Sequence, residues 1–345
     1  MDFTFSLDQE QFKGSVRSFL SDKVTTEDIR KSWETNDAFN LDRWKSLGSL
    51  GVLSANLKES HGGLNVDYVA MALIAEEMGY YGLPEPAAEQ IFLTNSVLNY
   101  LDSSQLDNIL FENAYIGFSH PLSPYILSAH KASGIIFYEE PHFNFLPLDQ
   151  CVLESLESND PSRNLFRIKK LKGEPMCLKH KFKNLNKFIE SSGMLMSSAL
   201  LLGLSRRMLD LTKIYVNERE QFGKPIGSFQ AVKHMLADAA INIEFSKSFI
   251  YRAASSLDTM HSMMQLHSYQ AKYMSMQASE IVTKNCLQAH GAMGYTWEMD
   301  LHIFARRGWS LKGIWGDQSF LENNILRKLE NDLPNLGSTY TFMDS

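Results

Sequence analysis

Two glycine-punctuated segments carry the residue types that hold a charged, planar ligand. The first, Arg219-Glu220-Gln221-Phe222-Gly223-Lys224-Pro225-Ile226-Gly227-Ser228-Phe229-Gln230, combines a fixed cation, an aromatic, two glycines and an amide. Seen alone it also fits a plain helix–helix turn, so both readings stand at this point. The second, Gln288-Ala289-His290-Gly291-Ala292-Met293-Gly294-Tyr295-Thr296-Trp297-Glu298, supplies glycines that let backbone approach a ligand closely and an amide suited to a purine edge. Other chemistries find less support. The ten histidines are scattered and lack metal-ligand spacing beside acids, so no metal site is expected. His61-Gly62-Gly63 looks faintly like an oxyanion-hole turn, but without a Gly-x-Ser-x-Gly elbow it reads as a turn. Cys151, Cys177 and Cys286 lie far apart and read as ordinary buried thiols, and Arg306 and Arg307 as a solvated or interface-facing pair.

These segments need helices to present them. Phe12, Val16, Phe19 and Leu20 form a stripe at helical spacing, and the chain to about Leu110 reads as helices broken by Gly and Pro. Between Phe111 and Lys187, β-branched and aromatic runs such as Gly134-Ile135-Ile136-Phe137-Tyr138, punctuated by prolines, predict a small antiparallel β domain. Helical periodicity then returns at Leu200, Leu204, Met208, Leu211 and Tyr215, and again at Phe229, Val232, Leu236, Ala239 and Ile243. The second of these helices is expected to start at Ser228 as N-cap. The fold class is therefore mainly α with a small β domain: helical residues 1–110, a reduced β domain at 111–187 and a helix bundle at 188–345.

A net charge of −7 offers no basic stripe for phosphates, which argues against a nucleic-acid partner. The longest apolar run, Met194 to Leu204, is too short to span a membrane and reads as a core helix. The acidic and polar start from Asp2 to Gln11 lacks a signal or transit pattern, so a cytoplasmic location is expected.

Together the two segments resemble the C-terminal signatures of the acyl-CoA dehydrogenase family. Glu59-Ser60-His61-Gly62-Gly63-Leu64 and Ala75-Glu76-Glu77-Met78-Gly79 are similar to its N-terminal pattern, and the order of the three parts is that family's order. The resemblance implies FAD as cofactor, an acyl-CoA thioester as substrate and an electron-transfer flavoprotein-like acceptor. It implies that Arg219, Phe222, Gln230, Gln288 and Gly291 hold the adenosine diphosphate half of a flavin whose ring lies in a neighbouring chain.

In the family a carboxylate removes the α-proton of the thioester while the β-hydrogen leaves as hydride. It lies either in a late Tyr-Glu-Gly-Thr-like segment or near the start of the first bundle helix. Here those places hold Trp315, within Ile314-Trp315-Gly316-Asp317, and Gly193. No catalytic residue is assigned. Asp317, two residues away, reads as a helix cap. The flavin-holding Thr-Glu-Pro-like and Trp-Ile-Thr-like stretches are absent from the β region. Asp160-Pro161-Ser162-Arg163, and Trp297-Glu298-Met299-Asp300-Leu301-His302 with Arg306-Arg307, resemble short members that pair with a longer, catalytically equipped paralogue, as known for bulky acyl-CoA substrates such as steroid side chains. The expectation is thus a subunit that completes a shared FAD site in a heterotetramer. Alternatives are a self-sufficient homo-oligomer using Asp317 or another carboxylate, and a flavin-free structural or regulatory subunit.

Overall fold

The structure, a computed structural model, describes residues 4–331 apart from 36, 108 and 110–113. Helices come first: α1 (Leu7–Lys23), α2 (Thr26–Thr35), α3 (Leu41–Ser49), α4 (Tyr68–Tyr81), short α5 (Ala87–Glu89) and α6 (Asn95–Leu98) joined by a π-turn, and α7 (Ser103–Leu106). Seven strands follow: β1 (Ile116–Ser119), β2 (Ile126–Leu127), β3 (Gly134–Glu139), β4 (His142–Pro147), β5 (Cys151–Leu156), β6 (Leu165–Leu171) and β7 (Met176–Cys177). The rest is the long α8 (Leu185–Glu218), a hairpin of β8 (Glu220–Gln221) and β9 (Lys224–Pro225), α9 (Gln230–Asp258), α10 (Met264–His290), α11 (Leu301–Lys312) and α12 (Gln318–Asn331). This is the expected fold class. The boundary expected at 110 and 111, and the bundle beyond 331, lie outside the described residues.

The centre is the crossing of α4 and α8. α4 is buried on every side, with Ala70 to Gly79 all inside the fold and only Glu76 and Glu77 charged among them. Its two consecutive glutamates tie four helices together. Glu77 takes two bonds from Arg17 of α1, at 2.7 and 2.9 Å, while Glu76 takes Arg206 of α8 and the Tyr251 hydroxyl of α9. Two glycines let the helix backbones touch: a Cβ on Gly79 would overlap the Leu200 carbonyl, and one on Gly203 the Glu76 carbonyl. Among the described residues, α8 alone is long and apolar enough to cross a bilayer, yet 89% of its apolar window is buried in the fold. It is a core helix, as Met194 to Leu204 indicated.

The strands form two small sheets, ordered β1-β3-β4-β7 and β2-β6-β5. All pairs are antiparallel except β1 with β3, whose parallel register runs from Ile116 opposite Gly134 to Ser119 opposite Phe137. Residues 120–133 are long enough for the crossover such a pair needs, and they contain β2.

Three other expectations are corrected. Ser228 does not cap α9; its hydroxyl donates to the Pro225 carbonyl at 2.7 Å within a 3-10 turn, and the helix starts at Gln230. Cys177 is exposed on β7. Arg307 is no surface cation. Its guanidinium bonds Asp160, the Ser162 hydroxyl at 2.6 Å and the Leu83 carbonyl at 2.8 Å, joining the N-terminal helices, the β part and α11 at one point. The Asp160-Pro161-Ser162-Arg163 motif is therefore half of a buried joint.

His267 on α10, 5% exposed, bonds the Ser256 hydroxyl at 2.7 Å. Burial, with Arg252 and His261 nearby, pushes its pKa down to about 3. The unfolded chain therefore takes up a proton below about pH 6.5 that the folded chain refuses, so stability falls as pH drops. His267 alone accounts for a loss of about 2 kcal/mol between pH 7 and pH 5, from the shift and 1.36 kcal/mol per pH unit. Denaturant titrations of His267→Gln at both pH values are expected to show a loss smaller by about that amount.

Candidate functional site

α8 runs up the bundle, α9 down and α10 up, so the C-terminal end of α8, the start of α9 and the C-terminal end of α10 share one end of the molecule. That end carries all five residues singled out for cofactor binding, and all five are exposed. Arg219 terminates α8, its N–H bonded to the Tyr215 carbonyl and its own carbonyl accepting from Ile226. Its guanidinium forms no ion pair among the described residues. Phe222 and Gly223 close the β8–β9 hairpin with φ of 55° and 78°, the left-handed pair a two-residue loop of this hand requires. Phenylalanine is a poor choice for that conformation, and Phe222 is 93% exposed. Gln230 opens α9, Gln288 lies in the last turn of α10, and Gly291 ends it at φ 58°, with open space where a Cβ would stand. Beside the two segments, α8 meets α10 through Tyr215 and His290, whose rings stack at 4.3 Å, and α10 meets α9 through the Asn285 amide, which donates to the Met235 carbonyl at 2.9 Å.

Gly193 and Trp315 lie elsewhere, and they touch. Trp315 is 1% exposed, and a Cβ on Gly193 would overlap its indole. The indole also stacks on His120 at 5.1 Å, His120 stacks on Tyr138 at 5.3 Å, and the backbone N–H of Trp315 donates to the Leu122 carbonyl at 2.7 Å. His120 accepts the Leu122 N–H on Nδ1, which leaves Nε2 to donate to Asn186 Oδ1 at 2.9 Å; burial lowers its pKa and keeps it neutral. Asn186 in turn bonds Glu190 at 2.9 Å, and burial raises the pKa of that carboxyl. Glu190 sits one helical turn before Gly193 and was not singled out from the sequence, where nothing showed that its helix would meet His120 through Asn186. Asp317 is exposed and accepts the Phe320 N–H at 2.8 Å at the start of α12, the cap geometry. Arg219 and Gly193 stand on one helix, 26 residues and so about 39 Å apart at 1.5 Å per residue.

Residues 6–109 match the family model for the acyl-CoA dehydrogenase N-terminal domain, and residues 192–329 match the model for the C-terminal domain. The chain belongs to the acyl-CoA dehydrogenase family. Acyl-CoA dehydrogenase IpdE2 of Mycobacterium tuberculosis (strain ATCC 25618 / H37Rv) is 23% identical over 334 residues, covering 94% of this chain and 97% of that protein. Solved structures of other proteins share the fold. The ChsE4–ChsE5 complex from Mycobacterium tuberculosis superposes with a TM-score of 0.81 at 17% identity, over 96% of this chain and 99% of the other. The FAD complex of PigA gives 0.81 at 18% identity over the same shares. FAD is the cofactor that goes with this family.

Proposed function

We propose that this acyl-CoA dehydrogenase family chain lends the α8–α9–α10 end to the FAD site of a longer family partner and carries out no dehydrogenation at its own base position. The observation that carries this reading is the contact of Trp315 with Gly193: the two places where a base would stand fill one another. Between them no carboxylate has room beside a substrate carbon. The separation of about 39 Å along α8 adds that Arg219 and the Gly193 region cannot grip the same dinucleotide, so a cofactor held at the first must present its ring to another chain. That a protein of this fold was solved as a two-component complex, ChsE4–ChsE5, supports a heteromeric assembly.

The donor set suits such a ligand. A guanidinium that stays charged and free of ion pairs bridges pyrophosphate oxygens in two directions, which a lysine does less well. Gln288 pairs an acceptor and a donor with an adenine edge, and Gln230 adds an amide at a helix start. Gly291 keeps the backbone bare, and Phe222 offers an apolar face. When bound, FAD supplies acceptance of the β-hydrogen of an acyl-CoA thioester. An electron-transfer flavoprotein-like acceptor would then reoxidise the complex. A second reading has one observation in its favour: Glu190, with a raised pKa, would serve as base in a self-sufficient enzyme if Trp315 moved aside.

The lone chain is expected to purify colourless and inactive, and the complex co-expressed with its partner yellow. Loss of a charge-assisted bond in Arg219→Ala, or of the amide in Gln288→Ala, should weaken FAD binding to that complex about tenfold to a hundredfold. Full flavin retention by both variants at limiting FAD would reduce the two segments to helix connections. A yellow lone chain whose turnover vanishes in Glu190→Gln would establish the second reading.

A further inference from the structure

We infer that Arg30, Trp297 and Arg306 form a clamp through which the N-terminal helices set the position of the Gln288–Gly291 turn; they are positioning residues, and the inference rests on the donated-site reading above. The turn needs anchors from outside. Gly291 has φ 58° and ψ −140°, a conformation reserved for glycine, and no side chain to lock it. On the α10 side the anchor is His290, stacked on Tyr215 and bonded through Nδ1 to the Cys286 carbonyl at 2.8 Å. On the far side, Thr296 bonds the Met293 carbonyl with both its N–H, at 3.0 Å, and its hydroxyl, at 2.9 Å, so the 3-10 turn Gly291–Tyr295 moves with Thr296.

The next residue is where α2 takes hold. Arg30 donates from Nη1 to the Trp297 carbonyl at 2.6 Å and from Nη2 to the Asp300 carboxylate at 2.8 Å, so one planar fork fixes two points of the 296–300 loop. The Arg306 guanidinium lies 5.0 Å from the Trp297 ring and 5.7 Å from the Trp33 ring, and Trp33 and His302 meet Trp297 edge-on at 5.9 and 4.9 Å. His302 holds the Met299 carbonyl through Nδ1 at 2.6 Å and is kept neutral, chiefly by burial and with both arginines nearby. Trp297 itself is 60% exposed, so burial does little to place it; the restraints are polar and directional. The path is continuous: α2, Arg30, Trp297, Thr296, Met293, Gly291.

A double-mutant cycle on the flavin-containing complex tests this. Arg30→Ala is expected to weaken FAD binding about threefold to tenfold, and Arg30→Lys nearly as much, because an ammonium cannot reach both points. In Arg30→Ala/Gln288→Ala the FAD affinity should equal that of Gln288→Ala alone, since Arg30 acts through the turn; a general loss of stability would instead add. Hydrogen exchange on the chain should quicken at residues 291–300 in Arg30→Ala while α4 and α8 stay protected. Unchanged affinity in Arg30→Ala, additive effects, or unchanged exchange at 291–300 would each overturn the clamp. Gln288→Ala without effect would instead sink the donated-site reading, and the exchange data would still report on the clamp itself.

Discussion

Replacing Arg307 by Met is expected to destabilise the chain by about 3–5 kcal/mol, the cost of leaving a buried charge without its partner. Asp160 has no exposed surface, and Arg307 is the cation bonded to it. The same substitution strips the Ser162 hydroxyl and the Leu83 carbonyl of their donor. Met fills much of the volume, so the loss is electrostatic rather than a cavity effect. Urea unfolding at pH 7 measures it. The companion Asp160→Asn/Arg307→Met should recover a substantial part, because it removes the stranded charge as well. A single-variant loss below about 1 kcal/mol, the range of exposed pairs, would mean the joint is solvated.

The contact between Gly193 and Trp315 carries the second large effect. Trp315→Ala should cost about 3–5 kcal/mol, as for other large core aromatics. Gly193→Ala should cost about 1–3 kcal/mol by overpacking, since its methyl has nowhere to go but into the indole. In the double variant the methyl enters the space the indole left, so the two losses should sum to less than their separate values by more than about 0.5 kcal/mol. Chemical denaturation of the four proteins gives the coupling. Additivity would mean that the indole does not sit on Gly193, and the case for a filled base position would go with it.

Much of the architecture was legible because it follows from periodicity. The apolar stripes of α8 and α9 repeat every three or four residues, and strand-like composition begins and ends near where strands are found. Asp317 was legible as a cap because a cap is a local arrangement. What was hidden is long-range. The pairing of β1 with β3 depends on how 14 intervening residues (120–133) cross over, which composition does not record. Arg30 and Trp297 are 267 positions apart, and nothing in either neighbourhood names the other. Arg306 and Arg307 looked alike in sequence, yet one lies on tryptophan rings and the other against a buried aspartate. Ser228 misled because a serine beside a turn can serve the turn instead of the helix. In the candidate site, Arg219, Phe222, Gln230, Gln288 and Gly291 could be proposed from residue type, and the structure adds that they share one exposed end; the filling of one candidate base position by another is a fact of packing alone.

The length of α8 has a consequence for counting. Its upper end serves, on the proposed reading, a neighbour's site while its lower end carries the chain's own filled base position, so a change at Gly193 leaves Arg219 untouched and the two can drift independently. On the proposed reading, each copy of this chain adds a lender to an assembly but never a receiver. The flavin content is then set by the number of partner chains present: an assembly of equal numbers of both holds one FAD for every two polypeptides, and excess of this subunit dilutes the ratio without adding a single redox centre.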